Sequence, residues 1–192
     1  MAYGQLDESG GVFRIIYEAK KGKGASTFQV KKNLPTIADS DYYLRAARAI
    51  NLGIETLGRM QRSYNVAALP TARGEWFVYL YPAPTESGIW PLGGDVRYLV
   101  SRDGRAVLET RKLHKTIIEF VTEPEEGGKA VAGAHTHILE CIPEDTDVSG
   151  VMSRRPPTPE YIICDPFFYA IDEDGTVRFI GYSDEFWGDE ED

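Results

Sequence analysis

The sequence has few of the residues that bring metals, redox chemistry or cross-links to a protein. Its 192 residues include three histidines, two cysteines and three methionines. Two cysteines do not make a disulfide framework. We expect Cys141 and Cys164 to be small buried hydrophobic residues, with a single disulfide or a metal-binding Cys141 as alternatives. The sequence also lacks an apolar run long enough to span a bilayer, which argues against a membrane protein.

Positive charge is scarce as well, because 21 Lys and Arg stand against 30 Asp and Glu, a formal net charge of −9. Phosphate backbones and anionic membrane surfaces repel such a chain, so we expect neither as a partner. The first eleven residues, MAYGQLDESGG, lack the charged start and apolar core of a secretory signal. As the sequence stands this favours the cytoplasm, whereas a leader removed before Met1 would leave a secreted or periplasmic protein.

Length and patterning predict an α+β protein, with a mostly antiparallel or mixed sheet packed against one long helix. The length fits a single domain over residues 1–192, with a core from about 12 to 182, a loose N-terminus over 1–11 and an acidic tail over 184–192. Asp39 or Ser40 is a candidate N-cap for the helix. Asp103-Gly104 predicts a hairpin between two β-rich segments. The helix is predicted from apolar residues at helical spacing: Leu44, Ala47, Ile50, Ile54, Leu57 and Met60.

All three histidines, His114, His135 and His137, fall inside one short window of the sequence. His135 and His137 are two residues apart, so on a strand both imidazoles leave the same face. Asp147 follows ten residues after His137 in an acidic turn. Imidazole and carboxylate are ligands that zinc and iron accept. The spacing therefore predicts a metal site of His135, His137 and Asp147, with His114 as a further ligand and zinc as the metal.

The role of His114 depends on the conformation of residues 113–121. The segment is rich in β-branched residues, but its apolar positions also fit a helical stripe, and we favour a strand. A hairpin centred on Glu125-Glu126 would then place His114 opposite His137, on the same face. A one-residue slip would move His114 to the other face, and in a helix it would lie at the surface.

The order of these residues resembles the JAB1/MPN/Mov34 (JAMM) metalloprotease family. The family motif is a His-x-His on a strand, then about ten residues on a Ser-x-x-Asp, with a glutamate well upstream. The resemblance rests on His135, His137 and Asp147 and covers about residues 40 to 170. It implies a mixed sheet with one helix before it and another beside the metal, and zinc-dependent hydrolysis of peptide or isopeptide bonds. Ile138 stands where the family usually has proline, and Glu144 where it has serine.

Hydrolysis of this kind needs a carboxylate that takes a proton from the attacking water. Glu86, Glu109 and Glu119 are candidates, and spacing does not choose among them. A peptide or protein is then the expected partner. Two alternatives stay open: a non-catalytic binding protein, such as a partner or inhibitor, and a metal-binding scaffold without turnover.

Arg154 and Arg155 precede the proline-rich run at 156–159. Prolines stiffen an extended chain, so we expect both arginines in an exposed loop. A grip on a carboxylate or phosphate is the alternative.

Overall fold

The computed structural model describes residues 1–23, 27–122, 128–183 and 185. Within them the chain forms thirteen strands and two helices, which confirms a mixed, mostly sheet architecture. The predicted acidic tail, apart from Glu185, and the predicted turn at Glu125-Glu126 lie outside the described residues. Neither helix is long and apolar enough to cross a membrane. The elements are β1 (Ala2–Leu6), β2 (Phe13–Lys21), β3 (Phe28–Asp39), α1 (Tyr42–Leu57), β4 (Tyr64–Pro70), β5 (Trp76–Pro82), β6 (Ile89–Gly93), β7 (Val96–Val100), β8 (Val107–Lys112), β9 (Ile117–Val121), β10 (Gly133–Thr136), α2 (Asp145–Ser153), β11 (Glu160–Cys164), β12 (Phe167–Ile171) and β13 (Val177–Tyr182).

The strands form four sheets, in the orders β1-β2-β3, β4-β5-β7-β8, β6-β9 and β10-β11-β12-β13. The neighbouring strands β7 and β8 flank Asp103-Gly104, as predicted for a hairpin. The chain divides into two compact units, so the predicted single domain is not confirmed. Unit 1 comprises Met1–Arg59, Val66–Tyr79 and Tyr98–Thr110, and unit 2 comprises Met60–Asn65, Leu80–Arg97 and Arg111–Asp192.

Unit 1 contains the long helix and the N-terminal sheet. The expectation of a loose N-terminus is wrong, because β1 pairs antiparallel with β2 along Ala2–Leu6. Helix α1 buries Leu44 of the predicted apolar stripe against Phe13 and Ile15 of β2. The helix ends at Leu57, so Met60 of that stripe lies beyond it. The N-cap of α1 is Asp41, whose side chain makes no capping hydrogen bond, so the predicted N-cap at Asp39 or Ser40 is wrong by one or two residues. The Asp39 carboxylate still accepts the backbone N–H of Leu44 at 3.0 Å.

In unit 2, β9 pairs antiparallel with β6, with Ile118 opposite Leu92. The strand prediction therefore holds for Ile117–Val121, whereas His114 lies in the turn before it. The predicted hairpin between this segment and the histidine strand is wrong. Strand periodicity shows which face is apolar, but it does not choose a partner strand, and β6 offers an apolar partner from far along the chain.

The last sheet of unit 2 carries the His-x-His strand. Strand β10 runs parallel to β11, with His135 opposite Ile162, and β11, β12 and β13 continue as an antiparallel meander. Parallel neighbours need a crossover connection, and α2 forms part of it. Val151 of α2 packs on Ile162 and Ile171 of the sheet. The sequence patterning did not predict α2 as a full helix, and this helix brings Asp147 to the strand.

Cys141 and Cys164 form a disulfide, so the expectation of two separate buried thiols is wrong. Cys164 ends β11, and Cys141 lies in the loop that follows β10. The parallel pairing continues past β10, where the His137 N–H donates to the Ile163 carbonyl at 2.9 Å. This places the two cysteines with their Cα atoms 5.1 Å apart. A disulfide is typical of oxidising compartments, which favours the secreted or periplasmic alternative, although the location stays a prediction.

Replacing both cysteines by serine is expected to lower the free energy of unfolding by about 3 kcal/mol, because the unfolded chain regains the entropy of a 23-residue loop. Urea unfolding would measure the loss. A reducing agent should destabilise the wild-type protein by a similar amount and leave the double variant unchanged. Equal stability of the double variant and the oxidised wild type would contradict the prediction.

Candidate metal centre

Three histidines and one aspartate of unit 2 converge into a cluster, which we call the His3Asp cluster: His114, His135, His137 and Asp147. The side chains of His135, His137 and Asp147 are buried, with exposed fractions of 3%, 2% and 2%, and that of His114 is partly buried, at 10%. His135 lies on β10, His137 directly follows it, Asp147 is in the first turn of α2, and His114 precedes β9. Potential ligand atoms of all four residues lie within 4.8 Å of one another. The four residues predicted from the sequence are therefore brought together, although His114 arrives by a different route.

The Nε2 atoms of the cluster face each other and the Asp147 carboxylate. His137 Nε2 lies 2.9 Å from His114 Nε2 and 3.0 Å from His135 Nε2. The Asp147 oxygens lie 3.1, 3.5 and 3.3 Å from Nε2 of His114, His135 and His137. Ligand atoms about 2.1 Å from one metal ion lie about 3.0–3.4 Å apart in octahedral and tetrahedral sites. The His3Asp cluster could therefore hold a metal ion.

The opposite ring nitrogens are each held by an acceptor. Nδ1 of His114 lies 2.7 Å from Asp95 Oδ1, and Nδ1 of His135 lies 2.7 Å from Glu160 Oε1. Nδ1 of His137 lies 2.8 Å from the backbone carbonyl of Ile142.

A carbonyl only accepts hydrogen bonds, as do ionised carboxylates, so each Nδ1 carries a proton. The Nε2 lone pairs of neutral rings then converge on one another and on a carboxylate. Only cations, either a metal ion or protons, can satisfy this arrangement.

Asp95 and Glu160, which hold His114 and His135, were not predicted from the sequence. Both are almost fully buried, at 3% and 1% exposure. Such carboxylates behind ligating histidines fix the tautomer and raise ligand basicity. No local spacing in the sequence identifies them, because each reaches its histidine through the tertiary arrangement of unit 2.

Arg154 is fully buried, so the expectation of an exposed loop is wrong for it, whereas Arg155 is exposed. The NH1 atom of Arg154 lies 2.5 Å from Glu160 Oε2, and the guanidinium carbon of Arg154 lies 4.2 Å from the centre of the Phe120 ring. A buried carboxylate needs a compensating charge. The alternative, that an arginine binds a carboxylate, is correct for Arg154, and the carboxylate is that of Glu160 in the same chain.

The upstream glutamates do not lie in the cluster. Glu86 and Glu109 are exposed, and Glu119 pairs with Arg62 at 2.5 Å.

The buried carboxyl nearest in sequence to Asp147 is that of Glu144, which precedes α2. The Glu144 N–H donates to Asp147 Oδ2 at 2.7 Å, and Arg111 NH2 lies 2.5 Å from Glu144 Oε1. Burial raises the pKa of Glu144 above its usual range, against the lowering effect of Arg111. The charges of Asp147, His114 and His137 also act on this pKa. Glu144 is therefore a buried carboxyl, paired with Arg111, beside the cluster, at the position where the JAMM motif has serine.

Without a metal ion the cluster binds protons strongly. Burial by itself lowers the pKa of His114, but Asp147 and Asp95 outweigh it and raise the pKa to about 10. Burial also lowers the pKa of His135, but Asp147 and Glu160 outweigh burial and raise this pKa to about 9. Burial would raise the pKa of Asp147, but hydrogen bonds from the three imidazoles hold that pKa far below its usual range.

Metal binding near pH 7 is therefore expected to release about two protons, from His114 and His135, and to tighten as the pH rises. In the metal-free protein the raised pKa values stabilise the fold below about pH 6.5. That contribution is lost as the pH rises through about 9 and 10. Calorimetry in two buffers of different ionisation enthalpy would count the protons. Binding without proton release would contradict the assignment of these atoms as ligands.

Two clefts of unit 2 border the cluster, and both open to solvent. One lies beside the three histidines. The other is lined by Asp147 and Asp95 together with Tyr81 and Trp90. A bound metal ion would therefore lie next to space that a ligand can occupy.

Comparison of the chain with protein-family models, curated proteins and solved structures finds no match in any of the three. The function proposed below therefore rests on the geometry of the His3Asp cluster and its surroundings.

Proposed function

We propose that the His3Asp cluster is a zinc centre and that the protein hydrolyses peptide or isopeptide bonds, similar to JAMM metalloproteases. One observation carries the proposal: three imidazoles, two of them buried and one partly buried, have Nδ1 tied to acceptors and turn Nε2 towards one carboxylate. Burying these unpaired nitrogen atoms and the carboxylate costs free energy unless a cation binds between them.

The donor set supports zinc as the metal. Imidazole nitrogens and a carboxylate oxygen suit zinc, iron and other divalent transition metals, whereas magnesium and calcium prefer oxygen ligands. Carboxylate or carbonyl partners behind ligating histidines are common at zinc sites. A fifth position for water is compatible with catalytic zinc, which expands its coordination during reaction.

Two features support hydrolysis over metal storage. The cluster borders a cleft that is open to solvent, and the Glu144 N–H donates to Asp147 of the cluster, with burial raising the pKa of the Glu144 carboxyl. A zinc ion here would supply the Lewis acid that activates water and polarises the scissile carbonyl. Glu144 would accept a proton from the attacking water as the new C–O bond forms. It would return that proton to the amine as the C–N bond breaks.

The ligand count favours a second candidate, a metal-binding scaffold without turnover. Four protein side chains already offer ligand atoms, and structural zinc sites are commonly closed by four protein ligands. The two candidates differ in whether Glu144 is needed for a reaction or only for the start of α2.

The metal content of the purified protein tests the zinc site, and we expect one equivalent of zinc per chain. Metal-free protein whose melting temperature is unchanged by zinc or by a chelator would rule out both the hydrolase and the metal-binding scaffold. Zinc-loaded protein would then be incubated with a peptide library that includes lysine-linked isopeptides, with new termini identified by mass spectrometry.

Glu144→Gln is expected to lower the cleavage rate by about 10²–10⁴-fold while zinc stoichiometry is kept. Glu140→Gln is the matched control, because Glu140 also approaches Arg111, at 3.6 Å, but is 55% exposed. Full zinc occupancy with no cleavage of any library member would favour the scaffold. Equal rates for both variants would remove Glu144 as the base.

A further inference from the structure

The cleft beside the three histidines has aliphatic side chains along its walls as well as polar groups. Its lining combines the histidine rings, two threonines and Lys115 with five large aliphatic side chains: Leu92, Leu113, Ile118, Ile138 and Leu139. They come from three parts of unit 2, namely β6, the segment from 113 to 118, and the loop after β10. The same walls that hold His114 and His137 therefore carry the aliphatic groups.

Three of these side chains are exposed to an extent that folding does not explain. Ile118 is 46% exposed, Leu139 is 46% exposed and Ile138 is 67% exposed. Single exposed aliphatic residues are ordinary, but a group of them around one cleft marks a surface that an apolar ligand covers. Apart from the histidines, the only charged side chain among the lining residues that the structure describes is Lys115.

The position of the histidines fixes how a ligand would lie in this cleft. If the reacting carbonyl is at the His3Asp cluster, the neighbouring part of the substrate enters the cleft that Leu139 and Ile118 line. Lys115 repels a basic group at this position, whereas an aliphatic group gains from leaving water.

We infer that this cleft binds the acyl side of the substrate and selects a large aliphatic side chain, of the size of leucine or isoleucine, next to the scissile carbonyl. The inference rests on the proposed hydrolase function. It adds the substrate class, which the metal ligands by themselves do not determine.

Straight-chain alkyl hydroxamates from two to eight carbons are suitable probes, because the hydroxamate group chelates zinc and the alkyl chain then extends into the cleft. Their binding to the zinc-loaded full chain is measured by calorimetry. We expect affinity to rise about threefold to fourfold per buried methylene until the cleft is filled.

Leu139→Ser and Ile118→Ser test the walls of the cleft. Each is expected to reduce the gain per methylene while acetohydroxamate binding and zinc content stay unchanged. Val121→Ser is the matched control, since Val121 lies on the same strand as Ile118 and is 42% exposed, but does not line the cleft. Its affinities should equal those of the wild type.

The outcomes separate this inference from the proposed function. A rise with chain length that the two cleft variants reduce supports the aliphatic cleft, even if no peptide is cleaved and the hydrolase function fails. Flat affinity along the series in zinc-loaded protein overturns the cleft while leaving the metal site intact. Protein that binds no zinc and no hydroxamate overturns both. With active protein, faster cleavage after lysine than after leucine would likewise overturn the inference.

Discussion

Asp147→Ala is expected to lower the free energy of unfolding of the metal-free protein by about 4 kcal/mol, as a broken buried charge pair and a lost helix cap would. The Asp147 carboxylate is 2% exposed and lies within 3.5 Å of all three Nε2 atoms. It also accepts the Glu144 N–H at the start of α2. Without Asp147, the protonated imidazoles lack the carboxylate that faced their Nε2 atoms. They must then lose their protons or be exposed to water by unfolding. Urea unfolding with a chelator present would measure the loss.

Asp145→Ala is the control for this substitution. Asp145 is in the same helix turn, but its side chain is 61% exposed and lies 3.3 Å from Arg97. Exposed ion pairs contribute about 0–1 kcal/mol, so this variant should stay near wild-type stability. Asp147→Asn, which keeps an acceptor for the Glu144 N–H, should recover about 1 kcal/mol of the loss. Equal losses at positions 145 and 147 would contradict a special role for the cluster.

His137→Ala is expected to weaken zinc binding by at least about 100-fold. Structural zinc sites bind with roughly 10–16 kcal/mol shared among four ligands, so one ligand contributes about 3 kcal/mol or more. His137 is the ring that approaches both other imidazoles, at 2.9 and 3.0 Å. Competition with a chromogenic chelator would give the affinities. The loss should also remove the rise in melting temperature that zinc confers on the wild type.

Thr136→Ala is the control for the histidine substitution, because Thr136 lies between the two ligands on β10 and its side chain is exposed. Its zinc affinity should match that of the wild type. Since the His137 ring is buried, the stability of both variants is also compared with a chelator present. Undiminished zinc affinity in His137→Ala would refute the proposed ligand set.

Local pattern was enough for part of this site. His135 and His137 are two residues apart in a β-rich segment, and a strand period of two places both rings on one side. Asp147 follows closely along the chain, so proximity was expected as well. For unit 1, the helix α1 was predicted from its apolar spacing for the same reason. Each is a property of adjacent residues and needs no knowledge of distant partners.

The rest of the site depended on long-range arrangement. His114 joins the cluster from a turn before β9, although β9 pairs with β6 and not with the histidine strand. Asp95, Glu160 and Arg154 approach from separate segments of unit 2 and have no motif that links them.

The sequence by itself determined that a His-x-His pair and an aspartate would share a small region, because strand period and short separation leave little choice. Only the tertiary structure decided which carboxylates orient the imidazoles, that Cys141 and Cys164 are joined, and that Glu144 is a buried acid beside the cluster. The physical reason is that burial and partner choice are set when parallel strands and their crossover helix pack. The same packing sets the protonation of the histidines and the space available to a ligand.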